Sequence, residues 1–202
     1  MALADAEGLE AVTIRRLAQD LGVTPMALYW HFRNKDLLMA ALADQVIAEV
    51  DLTVDESAPW IDQFRTLIEA LVRVLRAHPW VVSVFSPRTC ESERYFSALE
   101  VMLGILRDAG FTPEEAAEIS RHAIRVAISL VGGQPGIAGP HDADELEEMQ
   151  RRSRLAFETL SRKRYPRIVE AAGPLSACDD LDSYYDFGVD LLIRGVHAKS
   201  LR

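Results

Sequence analysis

The chain has 202 residues, 49% of them apolar, and carries 22 Lys and Arg against 31 Asp and Glu, a formal net charge of −9 with histidine neutral. That apolar share excludes a disordered or fibrous chain, and the length allows a substantial core in one large domain or two smaller ones. The acidic balance argues against a phosphate-rich partner for the chain as a whole, so such a partner would need a locally cationic surface.

No apolar run approaches the ~18 residues that span a bilayer. Met1 to Glu10 lacks the basic start of an export signal, and Cys90 and Cys178 belong to no C-x-x-C pair. These features predict a cytoplasmic protein with reduced thiols and no membrane partner.

The punctuation is helical throughout, with apolar residues three and four apart and no alternating runs bounded by hairpin turns. A first short helix ends at Gly8. The next spans Thr13 to Leu21, with Ile14, Leu17, Ala18 and Leu21 on one face and Gly22 as the stop. Thr24 is an N-cap signal and Pro25 fits the first helical position of a third helix that runs to about Phe32. Asn34 caps a fourth, with Asp36 in its first turn and Leu38, Leu42, Val46 and Val50 inward.

The polar stretch from Asp51 to Pro59 marks a domain boundary, dividing the chain into 1–50 and 51–202. Longer helices are predicted at about 59–78, ended by Pro79, at 92–109, ended by Gly110, and at 113–131, opened by a T-P-E-E capping box at Thr112. Gly132 to Asp144 is the longest loop. A helix over about 144–164 starts acidic and ends in Arg162, Lys163 and Arg164, and a last helix covers about 180–201.

The stretch T-P-M-A-L-Y-W-H-F-R-N-K-D from Thr24 carries the most chemistry. Two short helices joined by L-G-V have the proportions of a helix-turn-helix. Each helical residue turns about 100°, so Tyr29, Trp30, His31 and Phe32 cannot all face one core. Leu28 and Phe32, four apart, can face inward with Leu17 and Leu21, which leaves Tyr29, Trp30 and His31 outward. Arg15, Arg16, Arg33 and Lys35 flank these rings. Residues 1–50 hold seven acids and four bases, yet most of the acids lie away from this strip. Arginine can bond guanine edges, lysine and histidine can hold phosphate, and rings can press on thymine methyls.

On these residues, V-T-I-R-R-L-A-Q-D-L-G-V-T-P-M-A-L-Y-W-H-F-R-N-K-D-L-L from Val12 to Leu38 resembles the helix-turn-helix of TetR-family transcriptional regulators. Y-W-H is closest to the tetracycline-repressor-like members. The resemblance implies an all-α fold, with an N-terminal helix-turn-helix DNA-binding domain followed by a larger helical ligand-binding and dimerisation domain. It implies that Arg15 reads a base, that Thr24, Pro25, Met26 and Ala27 open the reader helix toward the groove, and that Trp30 meets base methyls or sugar. Thr13, Tyr29, His31 and Lys35 would hold phosphates of double-stranded operator DNA. Pro25 and Ala27 stand where the tetracycline-repressor-like members place polar groove-facing residues, so the operator need not be theirs. The first helix is shorter than usual for the family and lacks its basic lead-in.

Beyond residue 55, P-W-I-D-Q-F-R at Pro59 and Y-D-F-G-V-D-L-L-I-R-G-V at Tyr185 are similar to the start and the last helix of the family's second domain. The resemblance implies a homodimer through helices of about 113–131 and 180–201, and a small-molecule effector pocket. The last helix independently asks for cover on more than one face, since Phe187, Leu191, Val189, Ile193 and Val196 make it apolar nearly all round. Candidate pocket residues are Phe64, Trp80, Phe85, Tyr95, Phe96, Met102, His122 and Arg125. The stretch after Trp80 has no histidine where the tetracycline-repressor-like members hold a metal, so the expected effector is largely apolar and the expected action is repression released by it.

His141, Asp142, Asp144 and Glu145 read as loop and helix-start chemistry rather than a metal site, and Ser161 to Arg167 as a solvated helix end. No G-x-S-x-G, phosphate-binding loop, H-E-x-x-H or dinucleotide fingerprint occurs, so neither an enzyme nor a cofactor is indicated. The alternative of a different class is a helical small-molecule sensor without DNA binding.

Overall fold

The computed structural model describes residues 1–85, 91–134, 143–177 and 180–200. Among these the secondary structure is helical: α1 (Ala2–Glu7), α2 (Ile14–Asp20), α3 (Pro25–His31), α4 (Lys35–Ile47), α5 (Trp60–Ala77), α6 (Val81–Val84), α7 (Glu93–Asp108), α8 (Pro113–Gly132), α9 (Ala143–Glu158), α10 (Pro166–Glu170), α11 (Ala172–Ser176) and α12 (Leu181–Ser200), with a 3₁₀ turn at Leu9–Ala11. Cys90, Cys178, His141 and Asp142 lie outside the described residues. The helices form two compact units, residues 1–132 with 189–202, and residues 133–188.

In the first unit the caps do what their chemistry allows. Thr13 Oγ1 accepts from the Arg16 N–H (3.1 Å), Thr24 Oγ1 from the Ala27 N–H (3.3 Å) and Asn34 Oδ1 from the Leu37 N–H (2.9 Å). Each satisfies a donor that the first turn of a helix leaves without a partner. Thr112 and Glu115 form a reciprocal capping box at the start of α8, with both contacts at 3.2 Å. Gly22 turns at φ +66°, and the Val23 N–H reaches back to the Ala18 carbonyl at 2.9 Å, so α2 ends sharply and delivers the chain to α3.

A small core gathers Ala4, Val12, Leu38 and Met39, with Leu3, Leu9, Ile14, Leu17, Phe32, Leu42, Trp80 and Val84 packed around it. Phe32 thus turns inward. Leu21 does not: it is 64% exposed, because α2 ends at Asp20 and the Gly22 turn carries Leu21 off the buried face. A larger core lies among α5, α7 and α8, where Phe64, Ile68, Leu75, Leu106, Ala123 and Val131 are fully buried. The C-terminal part of α12 joins this unit through Arg65–Asp190 (2.9 Å), Lys199–Glu115 (3.2 Å) and the Trp60 ring, which meets Phe111 edge-on and His197 at a tilt.

In the second unit α10 and α11 pack on α9. The helix expected over 144–164 stops at Glu158, so Arg162, Lys163 and Arg164 lie beyond it in turns and do not compensate its dipole. The exposed face of α9 is laced by Arg151 and Arg152 to Glu148 and by Arg154 to Glu158. Such exposed i,i+3 and i,i+4 pairs are screened by solvent and add little to stability.

Candidate nucleic-acid interface and effector cavity

Helix α3 has no buried residue. Met26, Tyr29 and Trp30 are 66%, 51% and 83% exposed, and their spacing of three and four places them side by side on one face of the helix. Contiguous exposed apolar and aromatic surface of this kind marks an interaction site. Thr24 and Thr13 are exposed and spend one acceptor each on their caps, leaving hydroxyl protons available to an anion.

Four cations lie in this part of the chain and the structure separates them. Arg16 is held by Glu7 at 2.9 Å and Asp20 at 3.2 Å. Its charge is spent inside the protein, so it drops out of the cationic strip expected from the sequence. Arg15, Arg33 and Lys35 are exposed and make no ion pair or side-chain hydrogen bond among the described residues. The surface therefore combines exposed rings, free hydroxyls and three free cations, the chemistry that binds phosphates and base edges.

A second feature of the same unit is a narrow cavity lined by Ile47, Val50 and Leu52 at and beyond the end of α4, Leu67 and Leu71 of α5, Phe85, Tyr95, Ala98, Leu99 and Met102 of α7, and Ile124 of α8. Among the described residues that line it none has a charged side chain, and Tyr95 is the one with a side-chain polar group other than sulfur. Such a cavity binds by apolar burial and can reward few hydrogen bonds.

Comparison with known proteins agrees with this arrangement. The profile of bacterial regulatory proteins of the tetR family matches residues 1–42, and that of the tetracyclin repressor-like C-terminal domain matches residues 54–200. The chain belongs to the TetR family of transcriptional regulators. An HTH-type transcriptional regulator of Saccharopolyspora erythraea is 28% identical over 198 residues, 97% of this chain and 80% of the relative. The class E tetracycline repressor protein of Escherichia coli is 34% identical over 136 residues, 65% of this chain and 63% of the relative. The crystal structure of the TetR family protein ActR of Streptomyces coelicolor in complex with actinorhodin superposes with a TM-score of 0.83 at 27% identity, covering 98% of this chain and 93% of that one. As a TetR-family regulator the protein is not an enzyme, and among its described residues no helix is long and apolar enough to cross a membrane.

Within this regulator the residues expected at the DNA lie together on α2, α3 and the start of α4, and all of them are exposed. The expected pocket residues are dispersed. Phe85, Tyr95 and Met102 line the cavity and the others do not. Phe64 is fully buried in the core, Trp80 packs on the N-terminal core, and Phe96 is 53% exposed. His122 and Arg125 face outward on α8, beside a shallow depression they share with Val126, Ser129 and Leu130. Aromatic identity does not point to Leu67 with Leu71, or to Ala98 and Leu99 beside the expected Tyr95 and Met102, yet these share helix faces at a spacing of three and four that the sequence shows.

Proposed function

We propose that this TetR-family regulator is a cytoplasmic, homodimeric repressor that binds operator DNA and is released from it by a small, largely apolar molecule. Its functional division falls near residue 50, with residues 1–50 as the reader head and 51–202 serving effector binding and dimerisation. The observation that carries the DNA reading is the solvent-facing Met26–Tyr29–Trp30 surface of α3 beside the unpaired Arg15 and Lys35. Arg15 reads a base, Met26, Ala27 and Trp30 meet the groove, and Thr13, Thr24, Tyr29, His31 and Lys35 hold the backbone around them. The apolar side chains of the described cavity lining support the apolar effector, and the crystal structure of ActR in complex with actinorhodin shows a neighbour in fold carrying a small molecule.

Dimerisation is supported by what one copy leaves uncovered. Phe187 and Leu191 of α12 are 67% and 59% exposed, and α8 shows the depression at His122 to Leu130. Doubling the reader also offsets the acidic balance, since two heads about 34–36 Å apart engage successive major grooves.

The test is a mobility-shift titration with labelled DNA from the region upstream of the protein's own gene. Lys35→Ala is expected to weaken every fragment alike, and Arg15→Ala to erase the preference for one fragment over a scrambled one. If no fragment binds at low salt while apolar compounds raise the melting temperature, the protein is a sensor without a DNA partner.

A further inference from the structure

Three segments of the first unit meet at His78, just after α5. The imidazole is 12% exposed, with Nδ1 2.7 Å from Asp5 Oδ1 of α1 and Nε2 3.0 Å from Glu49 Oε2, two residues beyond α4. The Trp80 indole N–H donates to the same Asp5 oxygen at 2.6 Å, and its ring stands edge-on to the imidazole at 6.2 Å. A neutral imidazole carries one N–H and one lone pair, so it can donate to one carboxylate and must turn its lone pair toward the other. Both contacts attract only in the imidazolium form.

The place of this cluster in the fold gives it a consequence. Trp80 and Val84 pack on the N-terminal core, whereas Phe85, next in the chain, lines the apolar cavity. Ile47, two residues before Glu49, lines it as well. The histidine therefore sits at the joint through which reader head and cavity touch.

We propose that His78 is a proton-operated clasp that fixes α1 and the end of α4 to the α5–α6 corner, closed as the imidazolium and opened when the ring loses its proton. The charges facing it are Asp5 and Glu49, and the α-amino group of Met1 acts on Asp5 from the other side. Burial works against the charged ring, but the hydrogen bonds and charges of the two carboxylates outweigh it and hold its pKa above the ordinary imidazole value. On opening, the proton passes to water, one N–H···carboxylate contact becomes a lone pair facing a carboxylate, and that side of the clasp parts. Glu49 is the side that gives, because its carboxylate is half exposed while Asp5 keeps the Trp80 donor.

Two measurements on the full chain test the clasp. Nitrogen-15 spectra of the His78 ring are expected to show both nitrogens protonated in the closed clasp, with a titration midpoint above the ordinary imidazole value that moves down in Glu49→Gln. Amide hydrogen exchange of residues 48–50 at the end of α4, corrected for intrinsic rates, is expected to accelerate several-fold across that titration in the wild type and to show no such step in His78→Gln. A ring that titrates at or below the ordinary value overturns the proposal, and so does an end of α4 whose protection ignores the titration. Should His78→Gln fail to fold, Glu49→Gln carries the same test through the shifted midpoint. The significance for operator affinity rests on the DNA-binding reading, but neither measurement needs DNA, so failure of one is distinguishable from failure of the other.

Discussion

Trp30 and Phe64 show how differently two aromatic residues of this chain are used. Trp30 is 83% exposed and Phe64 is fully buried. Trp30→Ala is expected to leave the melting temperature within about 1–2 °C, since surface substitutions usually stay within about 0.5 kcal/mol, and to lower DNA affinity by about tenfold or more. Phe64→Ala is expected to cost about 3–5 kcal/mol in chemical denaturation through the cavity it leaves. His78 and Asp5 add a pH dependence whose sign follows from their shifts. His78 is raised, so its contribution is complete below the ordinary imidazole value and lost as pH rises through the raised one. In Asp5, burial works to raise the pKa, but the His78 and Trp80 hydrogen bonds prevail and lower it. Its contribution is present above the ordinary carboxylate value and lost as pH falls through the depressed one. Stability is therefore expected to be greatest between the two and to decline on the alkaline side, and thermal melts from pH 5 to 9 should show that decline flattened in His78→Gln.

Helices were legible where a cap or breaker stands beside a periodic stripe. Thr24-Pro25 opens α3, Gly22 closes the turn before it, and Thr112 with Glu115 opens α8, each through a local backbone contact that a short sequence window contains. The short α6, α10 and α11 were not legible, because four or five residues hold no full period and their helicity depends on packing from elsewhere. The cavity was legible only in part for the same reason, since its lining comes from four helices and their ends. Close approach between two elements is likewise invisible in sequence. A Cβ at Gly132 of α8 would stand 2.8 Å from Val82 Cγ1 of α6. Gly132→Ala is expected to lower the melting temperature, and adding Val82→Ala to recover part of the loss. Strict additivity of the two changes in a double-mutant cycle would contradict that contact.

The whole molecule joins a strongly acidic chain to the surface proposed to face DNA, which has few cations, and the two can coexist because screening confines fields to about 8 Å at physiological salt. Arg16 illustrates the economy: it is committed to Glu7 and Asp20, and Arg15, Arg33 and Lys35 remain for the partner. On the proposed reading, few phosphate contacts per head would give a shallow salt dependence per monomer and call for two heads. Leu191→Glu on the exposed face of α12 is expected to shift the protein toward monomer in sedimentation velocity and to weaken DNA binding without touching α3. The measurement that bears most directly on the central claim is a nuclease footprint of the upstream region with wild type and Trp30→Ala. Two protected half-sites, centred about 10–10.5 bp apart or a multiple of that and lost in the variant, are expected. A footprint that Trp30→Ala leaves unchanged, or none at low salt, would contradict the assignment of α3 as the reader.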